Sequence, residues 1–282
     1  MEIVIVPAWR RPDFLVATLR RLALADDDQL VYWVCLDRGH DPELEPVVEA
    51  FAATVGRSRV QIRRRFHGYA GNSYNVLESY REACAWEPRL VHLIEEDVLV
   101  GRDYFAFHRR AHALVPDAFC VSACRNQQLP LGTDPPADDG AVYRHVSYQS
   151  LGVSFRPDRL SPVLTHAGPG YFADPVGYCR SVFPGSRIPA SNAEQDGLLH
   201  RVLEADGMAT VYPAVPRAYH AGFVGYHRRG RPVSGSLEQR AEQILTMDAQ
   251  QLNTHAPGEF RDHTVIGLDD ERAPVKRVID WP

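Results

Sequence analysis

Between Glu2 and Cys124 the sequence repeats a two-part unit: a short apolar run rich in β-branched residues, then an amphipathic stretch of helical period. The runs EIVIVPAW, QLVYWVCLDRG, SRVQIRRRF, RLVHLI and AFCVSAC read as strands. Between them, a stretch with Leu15, Thr18, Leu19 and Leu22 on one face, then PELEPVVEAFAATV, GNSYNVLESYREACAW and GRDYFAFHRRAHALV, read as helices. Strands joined by helices of this length pair in parallel and are covered on both faces. The expected fold is therefore α/β, with a Rossmann-like, mostly parallel central sheet flanked by helices. Pro7 is expected to halt the first strand, and the alternating apolar and basic residues of SRVQIRRRF place the third near a sheet edge.

After about residue 125 the pattern becomes irregular. QQLPLGTDPPADDGAVYRH reads as a long surface loop. SLGVSFRPDRL returns to strand and then helix, SNAEQDGLLHRVLEADG is a helix closed by Gly207, and MATVYPAVPRAYH is a last strand with its exit. AGFVGYHRRGRPVSGS carries the glycines and charges of a loop able to close over a ligand, and from Leu237 one helix and a tail are expected. The expected organisation is one domain over residues 1–235, with a ligand-binding half at 1–125, a second half at 126–235 and a lid at 221–235. Residues 236–282 then form a C-terminal helix and tail.

One stretch breaks the ordinary rules of chain design. VHLIEEDVLV runs a core strand directly into Glu95, Glu96 and Asp97, and an apolar segment resumes at once. Like charges so close raise one another's pKa and destabilise the site unless a cation compensates them. Parallel sheets gather ligands at the carboxyl ends of their strands. That rim holds Pro7-Ala8-Trp9-Arg10, Asp37-Arg38-Gly39 and the acidic triplet. Oxygen donors with no histidine or thiolate beside them in the sequence suit a hard cation, Mg²⁺ or Mn²⁺, which binds through one or two carboxylates plus phosphate oxygens of a substrate.

Several classes are excluded or disfavoured. The formal net charge of −5 argues against a duplex-coating role. Neither the P-loop pattern nor the dinucleotide fingerprint is present. No apolar run approaches the roughly 20 residues that span a bilayer, and MEIVIVPAW lacks the basic start of a secretory signal. The five cysteines are odd in number and scattered, so a cytoplasmic, reduced protein without membrane attachment is expected.

The ordered motifs VIVPAWRRP, CLDRG, AGNSYNVLESYREA and LIEEDV, followed by FCVSACRN, EQDGLLHRVL and PAVPRAYHAG, resemble the GT-A fold of nucleotide-sugar glycosyltransferases. Within it they are most similar to the inverting N-acetylglucosaminyltransferase family that begins complex N-glycan branching, over roughly residues 2 to 228. The resemblance implies a UDP-sugar donor and transfer to an acceptor hydroxyl with inversion. Asp97 would be the metal ligand, with Glu96 acting through water or a ribose hydroxyl and Glu95 supporting. The family's motif has Asp where Glu96 stands. Asp37 would accept a hydrogen bond from the base, with Pro7, Ala8 and Arg10 lining its pocket. Asn72 or Asn75 either touches the nucleotide or caps its helix. Asp196 matches the catalytic base, although a first-turn acid also suits the helix dipole. Glu194 is accounted for by a capping box over Ser191–Glu194.

Arg10, Arg228 and Arg229 are candidates to meet the diphosphate. His220 either completes the metal site or is a structural residue at a strand end. The acceptor could be a saccharide, a protein or a hydroxylated base in nucleic acid; for the last, Arg63–Arg65 and Arg228–Arg231 could hold phosphates. A nucleotidyltransferase and a noncatalytic nucleotide-sugar or glycan-binding module are the competing readings. The first lacks its Gly-rich signature in PAWRRPDF, and the second has no use for a base.

Overall fold

A computed structural model of the chain describes residues 1–124, 140–222, 233–246 and 274–280, and the backbone of 224–225 and 228–229. The first half alternates as its sequence requires: β1 (Glu2–Ala8), α1 (Pro12–Leu24), β2 (Leu30–Leu36), α2 (Leu44–Val55), β3 (Val60–Arg64), α3 (Asn72–Cys84), β4 (Val91–Leu93), β5 (Val98–Val100), α4 (Tyr104–Leu114) and β6 (Cys120–Ser122). The second half adds β7 (Ala141–His145), β8 (Val153–Phe155), α5 (Pro157–His166), α6 (Pro169–Ala173), α7 (Pro175–Val182), α8 (Gln195–Ala205), β9 (Thr210–Pro213) and β10 (Ala218–His220). The short pair β11 (Val224–Gly225) and β12 (Arg228–Arg229), α9 (Leu237–Thr246) and β13 (Arg277–Asp280) follow.

Nine strands form one sheet in the order β13-β7-β9-β6-β8-β4-β1-β2-β3. β4, β1, β2 and β3 are mutually parallel, whereas β8 runs antiparallel to both β4 and β6. β9 is parallel to β6, and β7 and β13 close the far edge in the opposite direction. The sheet is mixed and mostly parallel, flanked by helices. The chain steps outward from β1 to β2 and β3, then returns to lay β4 on the other side of β1. That reversal makes a switch point in strand order at the carboxyl ends of β1 and β4, where sheets of this kind bind ligands.

The period of two along β1 and β2 sorts the core into two layers. Ile3, Ile5, Trp33 and Cys35 face α3, α5 and α8, packing with Val76, Tyr80, Leu160 and Leu199. Val4, Val6, Tyr32 and Val34 face α1 and α2, packing with Leu15, Leu19, Val48 and Phe51. Both faces of the central strands are buried, so they read as continuous apolar runs rather than alternating ones.

Several expectations are corrected. Pro7 does not halt β1, which continues to Ala8 with Pro7 opposite Cys35. Ala8 accepts from Asp37 N on the β2 side, while Ile5 accepts from Ile94 N on the β4 side. Pro7 therefore shares Ile5's side, beyond the last paired residue of β4, where a missing N–H costs no ladder bond. Ala141–His145, read as loop, form β7; residues 125–139 of that stretch lie outside the described residues. α6 and α7 were not anticipated, although each opens on a proline at its start. MATVYPAVPRAYH is not the last strand, and the tail contributes β13 to the sheet edge.

The capping box over Ser191–Glu194 does not form. α8 starts at Gln195, Glu194 occupies the N-cap without a side-chain cap bond, and Arg201 intervenes. Its buried guanidinium donates to the carbonyls of Ile188, Pro189, Asn192 and Gly197, which holds 188–192 out of the helix.

Three histidines are buried beneath β1, β4 and β8. His92 meets Glu2 Oε2 at 3.2 Å, and His108 and His112 both contact Ser154 Oγ, at 2.6 and 2.9 Å. Burial lowers the pKa of all three, that of His112 to about 3. A histidine neutral when folded but protonated when unfolded gives stability that is full above about pH 6.5 and lost as pH falls below it. Urea unfolding midpoints should therefore drop from pH 7 to pH 5, with up to about 1.4 kcal/mol per pH unit from each histidine. His112→Gln should flatten that slope by about one proton, measured from stability against pH.

Candidate active site

Ile94 donates to Ile5 O, after which the chain leaves β4 and turns tightly, Val98 N donating back to Glu95 O. The turn carries Glu95, Glu96 and Asp97, and β5 leaves it to pair antiparallel with β10. In that register His220 lies opposite Val98. The pairing sets His220 Nε2 3.1 Å from Asp97 Oδ2, and Ala221 N donates to Asp97 O at 2.7 Å. Thr18 of α1 donates to Glu96 O at 2.7 Å. The acidic turn is thus fixed from three directions by backbone, not left as a solvated loop.

Its compensating cation is Arg11, which sequence reasoning missed. Arg11 Nη1 donates to Asp97 Oδ2 at 2.6 Å, and its Nε and Nη2 donate to Glu96 Oε1 at 3.0 and 2.8 Å. Arg10, one of three arginines expected to meet a diphosphate, is exposed and stacks on Trp9, with its guanidinium carbon 4.2 Å from the ring centre. Pro12 is the available signal. The residue before a proline is kept out of the helical region, and Arg11 accordingly has φ −126° and ψ 71° at the start of α1. Removing one partner of a buried ion pair costs about 3–5 kcal/mol. Arg11's side chain is 28% exposed, which places its loss toward the low end of that range.

Burial disfavours the charged form of all three carboxylates, but their neighbours divide them. Glu95 is pushed well above the usual carboxylate range by burial, then by Asp97, Asp196 and Glu96. Glu96 is also raised by burial, against the pull of Arg11. For Asp97, His220 and Arg11 together outweigh burial and hold it below the usual range. The turn therefore presents one firmly ionised carboxylate beside one that favours its proton.

Asn72, the first residue of α3, donates to Glu95 Oε1 at 3.2 Å. Neither Asn72 nor Asn75 caps the helix, whose N-cap is Gly71. Asn75 is structural: it donates to Cys35 O at 2.7 Å and accepts from Arg65. Asp37 is buried at the end of β2, accepting from Arg38 N at 2.7 Å and Gly71 N at 2.9 Å. It ties the two rim loops together while each oxygen retains a free lone pair. Pro7 and Ala8 are buried residues at the end of β1.

Asp196 stands in the first turn of α8, whose start is tied to α3 by Gln195 N donating to Ser73 Oγ. Its charge acts on Glu95, Tyr80 and Tyr148, so it shares the field of the acidic turn. The side chain of Arg228, that of Arg229 and most of the expected lid lie outside the described residues. The run at 63–65 is spent internally: Arg63 over Trp33, Arg64 on Glu45, Arg65 on Glu82 and Ser79.

Among the described residues no set of three His, Cys, Asp or Glu side chains stands ready to hold a metal ion. The donors nonetheless fit a hard cation. Asp97 is 4% exposed, and its Oδ1 is buried without a hydrogen-bond partner among the described residues. Gly222 lies against the same place: an added Cβ would fall far inside contact of Asp97 Oδ2 and His220 Nε2.

No family model and no curated protein matches the sequence. Solved structures similar to it include the mannosyltransferase PcManGT from Pyrobaculum calidifontis in complex with GDP-Man and Mn²⁺ (15% identity, TM-score 0.48, 77% of this chain and 57% of that one). The galactosyltransferase LgtC with donor and acceptor sugar analogues has 12% identity and TM-score 0.48 over 93% of this chain and 99% of that one. TarS from S. aureus in complex with UDP-GlcNAc has 11% identity and TM-score 0.46 over 90% and 67%. The chain spans little more than half the length of the mannosyltransferase. No described helix is long and apolar enough to cross a membrane.

Gly197 sets the position of Asp196. An added Cβ there would collide with the backbone carbonyl of Asn192, which Arg201 holds in place. Gly197→Ala should destabilise the protein by about 1–3 kcal/mol in urea unfolding, because backbone rather than a flexible side chain must yield.

Proposed function

We propose that the protein is a metal-dependent inverting glycosyltransferase that transfers a sugar from a UDP-sugar to an acceptor hydroxyl. The observation that carries this reading is the acidic turn at the carboxyl ends of β1 and β4, with Asp97 favoured in its charged form by His220 and Arg11, its Oδ1 buried and unpartnered among the described residues, and Asp196 acting on the neighbouring Glu95. A noncatalytic acidic surface turn would be solvated, whereas this one is braced by Thr18, Ala221 and Arg11. The order of motifs along the chain, similar to the N-acetylglucosaminyltransferase family, supports the choice of a UDP-sugar and of inversion.

Asp97 through Oδ1, with His220 beside it, would hold Mn²⁺ or Mg²⁺, whose charge offsets that of the departing diphosphate. Asp37, whose oxygens keep lone pairs after bonding Arg38 N and Gly71 N, would accept from the nucleotide base. Asn72 fixes Glu95, which in its protonated form can itself donate to a donor oxygen. Asp196 would take the proton of the acceptor hydroxyl as its oxygen attacks the anomeric carbon and the bond to phosphate breaks on the opposite face. One base and one charge-stabilised leaving group suffice for a single displacement with inversion.

The test is a donor screen: nucleotide-sugars with Mn²⁺, reading nucleotide release by slow hydrolysis, then transfer to candidate acceptors. Asp97→Ala should lower release at least 100-fold. Asp196→Asn should leave donor affinity within about threefold while removing transfer, since loss of a general base costs 10²–10⁴-fold. Donor bound by calorimetry with no turnover on any acceptor would leave a binding module instead.

A further inference from the structure

The acidic turn already contains a cation, supplied by the chain. We propose that Arg11 is a built-in counter-ion which a divalent cation has to displace from Asp97, so that the protein gates its own metal position. The inference rests on the metal-binding part of the reading above and extends it to a residue that no motif assigned.

Four observations carry it. Arg11 Nη1 occupies Asp97 Oδ2 at 2.6 Å, while its Nε and Nη2 take Glu96 Oε1, so one guanidinium spans both ionisable neighbours. The other oxygen, Asp97 Oδ1, is buried and unpartnered among the described residues, which leaves half of the carboxylate uncompensated. Gly222 lets the backbone pass so close to Asp97 Oδ2 and His220 Nε2 that any side chain there would collide with both, which keeps this carboxylate edge clear of a further side chain. Finally, Arg11 is not sealed in: its side chain is 28% exposed, with its guanidinium carbon 5.2 Å from the Phe14 ring centre.

A guanidinium cannot shed its proton, so it cannot make way for a cation by titrating, as a lysine or histidine could. A dication at Oδ1 and the Arg11 guanidinium at Oδ2 would face each other across one carboxylate, and their repulsion drives Arg11 off Asp97. Arg11 would then be released to an anionic ligand arriving with the metal, and the crowded carboxylates are never left bare between the two states. Arg11 is a positioning residue in this scheme, acting through Asp97.

The test reads metal binding without any donor. Mn²⁺ titrations followed by electron paramagnetic resonance on wild type and Arg11→Met should show at least tenfold tighter binding in the variant, which keeps the stem over Phe14 and loses the charge. Arg11→Lys, which keeps a charge but not the fork, should fall between them and covers the case in which the methionine variant does not fold. In wild type, Mg²⁺ should shift the Arg11 Nε–H resonance, assigned by its absence in the lysine variant. Equal Mn²⁺ affinity in all three proteins, weaker binding in the variants, or an unmoved resonance would overturn the proposal. Tighter binding by the variant without donor turnover would keep the gate and remove the transfer reading; turnover with unaltered metal affinity would do the reverse.

Discussion

Three carboxylates at the tip of a core strand are tolerated only because a cation is held against them. Two unit charges about 4 Å apart interact by about 4 kcal/mol at an effective dielectric near 20, a large fraction of the 5–15 kcal/mol that typically separates folded from unfolded. Uncompensated, the Glu95–Asp97 turn would be among the most costly features of the fold. Arg11 offsets part of that cost through Glu96 and Asp97, and its position follows from two neighbours: Pro12, which bars Arg11 from the helix, and Phe14, whose ring lies beneath the guanidinium.

The rest of the rim is built to keep that arrangement in register. β5 and β10 form a small antiparallel pair outside the main sheet, and their pairing alone puts His220 beside Asp97. The base of the pair is locked by Arg217, whose side chain is 1% exposed and bonds Asp103 at 2.6 Å while its backbone bridges Gly101 and Ala123. A buried arginine paired to one carboxylate contributes little net stability but penalises any other arrangement. Arg201 does comparable work with carbonyls alone, holding the segment before α8 so that Asp196 enters the helix in its first turn.

Much of this was legible in the sequence, for physical reasons that can be named. Strand and helix periods differ, so the first half could be parsed, and an edge strand was evident in SRVQIRRRF, which indeed ends the sheet. The rim followed from the rule that parallel strands present ligands at their carboxyl ends. Asp97, Glu96 and His220 lie together in the structure, and Asn72 reaches Glu95. Less was legible where local propensity competes with distant contacts. Ser191–Glu194 has the letters of a capping box, but Arg201, ten residues on, claims the carbonyls that a helix would need.

The sequence by itself determined the α/β class, the order of the first strands and the fact that three carboxyl groups crowd one strand end, because these depend on period, composition and nearest neighbours. Which of two adjacent arginines answers those groups was decided only by tertiary structure. Arg10 and Arg11 have the same chemistry, and a chain reversal points one toward Trp9 and the other toward Asp97. The same holds for His220, brought to the turn by a strand pairing more than a hundred residues apart in sequence. Side-chain direction at a turn, and pairing across such distances, are set by the packed whole rather than by local propensity.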